Sequence, residues 1–151
     1  VGNALDKINL NKCDDIIIEN QAKMATKKMI FVSHVLFYEL CRTYLEDDNC
    51  KCKNVRFFMP KNKMDSYDGP SIITKTQVAG EKGKSLKNKK YRMRKEASII
   101  ACQYFLNKYN ETKFLEIFNS SNFDKQDDLS DAYMQGHTYL KGKPRVKRTL
   151  K

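Results

Sequence analysis

Histidine is scarce in this 151-residue chain, with only His34 and His137. Cysteine is present but unpatterned. Cys13, Cys41, Cys50, Cys52 and Cys102 share no recurring spacing, and Cys50-Lys51-Cys52 is too tight for the usual two-to-four-residue gap between zinc ligands. These two shortages argue against a structural zinc site, and the odd cysteine count reads as reduced thiols in an intracellular compartment. No run of 18 apolar residues occurs, so no membrane-spanning helix is expected. The opening VGNALDKINLNK lacks the apolar stretch of a secretory signal.

What the chain does have is positive charge, concentrated in two places. The net charge is +11. Residues 60–95 hold 11 Lys/Arg against 3 acids, and residues 141–151 hold 6 Lys/Arg and no acid, so the windows net +8 and +6 and the remainder −3. A near-neutral body with two basic attachments suits a polyanion, most simply nucleic acid. A solvated loop and a disordered tail would leave the same trace.

The 40% hydrophobic content supports one core. The first ten residues look like the last turns of a helix. CDDIIIEN places three isoleucines in a short apolar run, as in a buried strand, and NVRFFMP (54–60) reads as a second strand closed by Pro60. Between them, residues 26–46 predict a helix that is apolar nearly all round. Such a helix is buried on two sides, or on one side with a partner chain on the other. Residues 60–88 show no sustained period and read as a long functional or disordered loop. Helices follow at 90–108, 112–118 and about 127–140, the last with an apolar stripe of Leu129, Ala132, Tyr133, Gly136 and Leu140. Strands alternating with helices predict an α/β sheet with covering helices.

The acidic stretch KQDDLSDAYMQG (125–136) stands out against the basic background. Asp128 and Asp131 lie at i and i+3, so both carboxylates share a helix face. Glu19 follows the isoleucine run at the end of the first strand, where α/β sheets gather their ligands. Three carboxylates from two distant segments suit a hard divalent cation, Mg²⁺ or Mn²⁺. Asp127 or Asp128 also suits a helix N-cap, with the neighbouring acids favoured by the helix dipole.

IIIENQ (16–21), KQDDLSDAYMQG (125–136), PKNKM (60–64) and KKYRMRK (89–95) together resemble viral Holliday junction resolvases. These are RuvC-like members of the RNase H superfamily from poxviruses and other large nucleocytoplasmic DNA viruses, and the resemblance spans roughly residues 5–140. It implies an RNase H-like α/β fold in residues 1–140, followed by a basic tail at 141–151. It also implies two Mg²⁺ (or Mn²⁺) ions held by Glu19, Asp128 and Asp131, with Asp127 the rival for Asp128. The implied partner is a four-way DNA junction, nicked symmetrically by a homodimer without membrane association. The implied location is the viral replication site in the cytoplasm, or the nucleus. Family members begin with three strands, the first bearing another aspartate in a stretch resembling IDxG. No such stretch precedes residue 16, and Asp6, Asp14 and Asp15 stand in other contexts, so the expected active site is incomplete as written.

Lys61, Lys63, Lys89, Lys90, Arg92, Arg94 and Lys95 are the expected phosphate contacts, because a junction presents converging backbones that charge and shape recognise. Tyr67 is a candidate to stack at the branch point, or else packs locally. GEKGKS (80–85) is not a phosphate-binding P-loop, since position 78 is valine rather than glycine. His34 is expected to pack in its helix, His137 lies off the acidic stripe, and no Ser–His arrangement has sequence support. A noncatalytic DNA-binding module, or a nuclease acting on RNA–DNA hybrids, accounts for the same features.

Overall fold

The structure is a computed structural model that describes residues 10, 12–21, 26–78 and 86–142. It is mixed α/β, mostly helical, with a small two-stranded parallel sheet. The chain divides into two compact units, Val1–Lys61 and Asn62–Lys151, each taken by itself below. The expected helical turns at residues 1–9, the GEKGKS segment and the basic tail beyond residue 142 lie outside the described residues.

The first unit is a β-α-β arrangement: β1 (Asp15–Glu19), α1 (Lys27–Tyr44) and β2 (Asn54–Phe58). The strands run parallel, from Asp15 opposite Asn54 to Glu19 opposite Phe58. A parallel pair needs a long crossover between its strands, and α1 supplies it. Backbone bonds from Lys53 to Asp14 (2.7 Å) and from Asn20 to Phe58 (2.8 Å) extend the ladder at both ends. Thr26 caps α1 by accepting a hydrogen bond from the Met29 amide at 3.3 Å. Ile18, Leu40, Tyr44, Cys50, Cys52 and Val55 form the core.

Only one side of α1 is covered in this unit. Leu40 and Tyr44 are buried, whereas Phe31 (69% exposed) and Tyr38 (63%) face outward with Met29 and Val32. Within this unit the apolar sequence around α1 is therefore buried on one face and exposed on the other.

The second unit is helical: a short α2 (Lys75–Val78), then α3 (Leu86–Lys108), α4 (Thr112–Ser120) and α5 (Phe123–Lys141). α3 and α5 pack together around Ala101, Cys102, Phe105 and Met134, with Phe118 of α4 closing the cluster. Burial pushes the Cys102 thiol up to about 12, which makes it an inert packing residue. Asn110 takes a positive φ of 56° between α3 and α4, a conformation that asparagine tolerates better than most residues.

α5 starts four residues earlier than the sequence pattern placed it. Asn122 is its N-cap, accepting a hydrogen bond from the Lys125 amide at 2.9 Å, and Asp124 occupies the first turn. Neither Asp127 nor Asp128 is a cap, because both lie inside the helix. The supposed long loop is also partly ordered. It contains a 3-10 turn at Pro60–Asn62 and the short α2, and α3 begins at Leu86 rather than residue 90.

Candidate functional site

The early start of α5 sets which acids share a face. Asp127 and Asp131 are one turn apart on the side packed against α3, while Asp128 is rotated away and exposed. Asp127 is 5% exposed, and its Oδ2 accepts a hydrogen bond from Lys95 Nζ at 2.5 Å. Its Oδ1 is buried with no hydrogen-bond partner. Lys95 is pushed up to about 12, chiefly by that hydrogen bond to Asp127.

One turn further on, Asp131 Oδ1 accepts from Ser98 Oγ at 2.8 Å and from the ammonium of Lys63. Ser98 is fully buried and stands three residues after Lys95 on α3, so both face α5. The result is two ammonium–carboxylate pairs stacked along α5. Burying a carboxylate without a counter-charge is strongly unfavourable, and the two lysines supply that charge. Two of the seven expected phosphate contacts, Lys63 and Lys95, are thus engaged inside the unit.

The other five lie differently. Lys90, Arg92 and Arg94 are exposed on the first turns of α3, Lys89 is half-buried there, and Lys61 is exposed in the first unit. Arg92 also reaches Glu96 Oε1 at 3.4 Å. The first turn of α3 contains no acid. A run of cations at the positive end of a 23-residue helix is unfavourable alone and is relieved by a bound anion. Tyr91 is exposed beside this face, with Lys95 Nζ 5.1 Å from its ring centre.

Glu96 ties α2 to α3. Its carboxylate accepts from the Thr76 amide (3.0 Å) and hydroxyl (2.5 Å). Burial works to raise its pKa, but hydrogen bonds from Thr76 and the charge of Arg92 bring the net shift below the ordinary value.

Glu19 ends β1 as expected and is half-buried, beside a shallow groove formed with Gln21, Lys28, Met29 and Val32. It belongs to the first unit, and the aspartates belong to the second. Among the described residues, no group of three or more His, Cys, Asp or Glu side chains is arranged to hold a metal ion. The oxygen chemistry of Asp127 and Asp131 nevertheless fits a hard cation, and Asp127 has an unused acceptor.

A second polar cluster had no sequence signal. Ser66 Oγ lies 2.8 Å from His137 Nδ1 and 2.7 Å from Thr138 Oγ1. His137 stacks on Phe105 with ring centres 3.9 Å apart, and its Nε2 is 3.3 Å from the Tyr109 hydroxyl. Burial, then the nearby Lys141, lowers the His137 pKa. Ser66 and His137 are 71 positions apart, so spacing could not reveal them. Tyr67 packs locally: it meets Tyr104 and Phe105 edge-on and donates its hydroxyl to the Pro70 carbonyl at 2.9 Å. His34 donates Nδ1–H to the Ile30 carbonyl at 2.8 Å and leans on Phe57.

No protein-family model matches the chain, and no solved structure matches it. The chain is 33% identical over 127 residues to an uncharacterized protein of Acanthamoeba polyphaga mimivirus. The match covers 83% of this chain but 28% of the viral protein, so the chain spans less than a third of that relative's length. No helix among the described residues is long and apolar enough to cross a membrane.

Proposed function

We propose that this chain carries the acidic helix and the basic helix of a Mg²⁺-dependent, structure-specific DNA endonuclease. Its core is RNase H-like, of the RuvC type, and its substrate is a four-way junction. The observation that carries this reading is the Asp127–Asp131 face of α5. It is a pair of inward carboxylates, one with an orphaned oxygen, packed against a helix whose exposed start is a run of cations. That oxygen supports Asp127, rather than the exposed Asp128, as the companion of Asp131, and the resolvase resemblance adds Glu19. Mg²⁺ held by Asp127 and Asp131 would supply an activated water and neutralise the leaving oxygen.

The chain's own residues have separable roles. Lys89, Lys90, Arg92 and Arg94 would hold the sugar–phosphate backbone at the start of α3. Ser98 and Lys63 fix the orientation of Asp131. Lys95 holds Asp127 by its hydrogen bond to Oδ2. Binding by the α3 cations would weaken steeply as salt rises, because each phosphate contact releases a counterion.

The direct test is incubation of a labelled four-way junction with the chain in Mg²⁺ or Mn²⁺, beside Asp131→Asn. Symmetric paired nicks that vanish in the variant are the expected result. A second reading, a noncatalytic DNA-binding module, draws on the lysine ammoniums already seated on both carboxylates. Retention of the junction without cutting, unchanged in Asp131→Asn, would establish that reading instead.

A further inference from the structure

Thr138 Oγ1 donates to the backbone carbonyl of Lys63 at 2.8 Å, and the Lys63 ammonium bonds Asp131. Asp131 and Thr138 are seven residues apart on α5, two turns and about 10 Å along the axis. Residue 63 is therefore held twice by one face of one helix, by its carbonyl at Thr138 and by its side chain at Asp131. We infer that Ser66, His137 and Thr138 are positioning residues that set the Lys63–Asp131 ion pair.

Counting protons fixes the direction of every bond in this cluster. A carbonyl oxygen can only accept, so the single Thr138 hydroxyl proton is committed to Lys63. Ser66 must then donate its own proton to Thr138 across the 2.7 Å contact. With that proton committed, the 2.8 Å contact between Ser66 Oγ and His137 requires Nδ1–H as the donor. His137 Nε2 is then the acceptor for the Tyr109 hydroxyl at 3.3 Å. The wire runs Tyr109, His137, Ser66, Thr138, Lys63 carbonyl, and it ends where the lysine turns toward Asp131.

This polarity also excludes the obvious alternative. An imidazole that donates to a serine is not a base toward it, so Ser66–His137 is not a nucleophile–base pair. Stacking on Phe105 holds the imidazole in the plane that makes these bonds. The lowered His137 pKa agrees with a neutral ring having one proton to place. That the pair orders a reacting carboxylate rests on the endonuclease reading, whereas the wire and the ion pair do not.

The test uses the full chain, isotopically labelled, with Thr138→Val and Thr138→Ser. Nitrogen-15 shifts of His137 should report the Nδ1–H tautomer in the unsubstituted chain. The Lys63 ammonium should give a slowly exchanging proton signal that Thr138→Val loses and Thr138→Ser keeps. On junction DNA, Thr138→Val should lower kcat about tenfold with KM within about twofold, and Thr138→Ser should restore it. Ser66→Ala, at a half-exposed position, repeats the measurement if Thr138→Val does not fold. An Nε2–H tautomer, or a Lys63 signal unchanged in the severed variants, would overturn the inference. Full cleavage activity in those variants would overturn the catalytic part of it. A chain that cuts no junction yet shows both spectroscopic signatures would sink the endonuclease reading and leave the positioning wire standing.

Discussion

The two units bury different kinds of surface. In the first, the core is Ile18, Leu40, Tyr44, two cysteines and Val55, and the one buried polar residue among its described residues, Ser33, merely bonds the carbonyl of Ile30 three residues back. In the second, Thr74, Thr76, Glu96, Ser98, Asp127, Ser130, Gln135 and Thr138 are buried beside the apolar cluster. Apolar burial is non-directional and tolerant, so the first unit is held by area. Buried polar groups demand defined partners, so the second unit is held by geometry. A fold that needed only stability would not place two carboxylates between its helices, since apolar residues of similar size serve as well or better. The difference is that the second unit buries polar groups on defined partners, whereas the first buries mainly apolar side chains.

The comparison is broken most severely at Lys95. Lys95→Met would leave Asp127 buried without its counter-charge and should cost about 3 kcal/mol, visible as a lower urea midpoint. Adding Asp127→Asn should recover much of that loss, and a Lys95→Met chain as stable as the original would show that the pair is not a buried one. The sign with pH follows from the raised Lys95 value. The stabilising contribution of the pair is complete below the ordinary 10.5 and fades as pH climbs through about 12.

A smaller effect is expected at Glu96. Glu96→Gln keeps the shape but weakens the hold on Thr76 and Arg92, for about 1–2 kcal/mol by the same urea measurement. Because the folded-state pKa of Glu96 is depressed, its contribution is present above the ordinary 4.5 and disappears as pH falls below it. A deficit in Glu96→Gln that stays constant from neutral pH down into the acid range would contradict the charge-assisted bonding. The smallest change should be in the scaffold. Phe31→Ser, on the outward face of α1, should shift stability by no more than about 0.5 kcal/mol, since the ring is already exposed. A loss several times larger would mean that this face is covered, as a homodimer interface would cover it.

Local pattern made most of the elements legible. The isoleucine run, NVRFF and the helices at 26–46, 90–108 and 112–118 all appear where apolar spacing put them, within a few residues. Boundaries were less legible. Asn122 stands ahead of a first turn, FDKQ, whose apolar residue, Phe123, is exposed and adds nothing to the apolar stripe, so periodicity began the helix too late. That error changed the reading of the site, because an acid on the first turn is a cap and the same acid on the second turn packs against α3. The basic character of the α3 start was legible from charge alone. The seating of Lys63 and Lys95 on aspartates 68 and 32 positions away was not, since a lysine on a phosphate and a lysine on a buried acid look identical in sequence.

By itself the sequence determined the strand candidates, the helices, the cationic run and the acidic stretch, because each follows from composition and spacing over a few turns. Tertiary structure alone decided which aspartate faces inward, which lysines are engaged, and that Ser66, His137 and Thr138 form one wire. These depend on helix rotation and on contacts between residues dozens of positions apart. A shift of one residue turns a helical side chain by about 100°, enough to exchange Asp127 for Asp128 at the packed face.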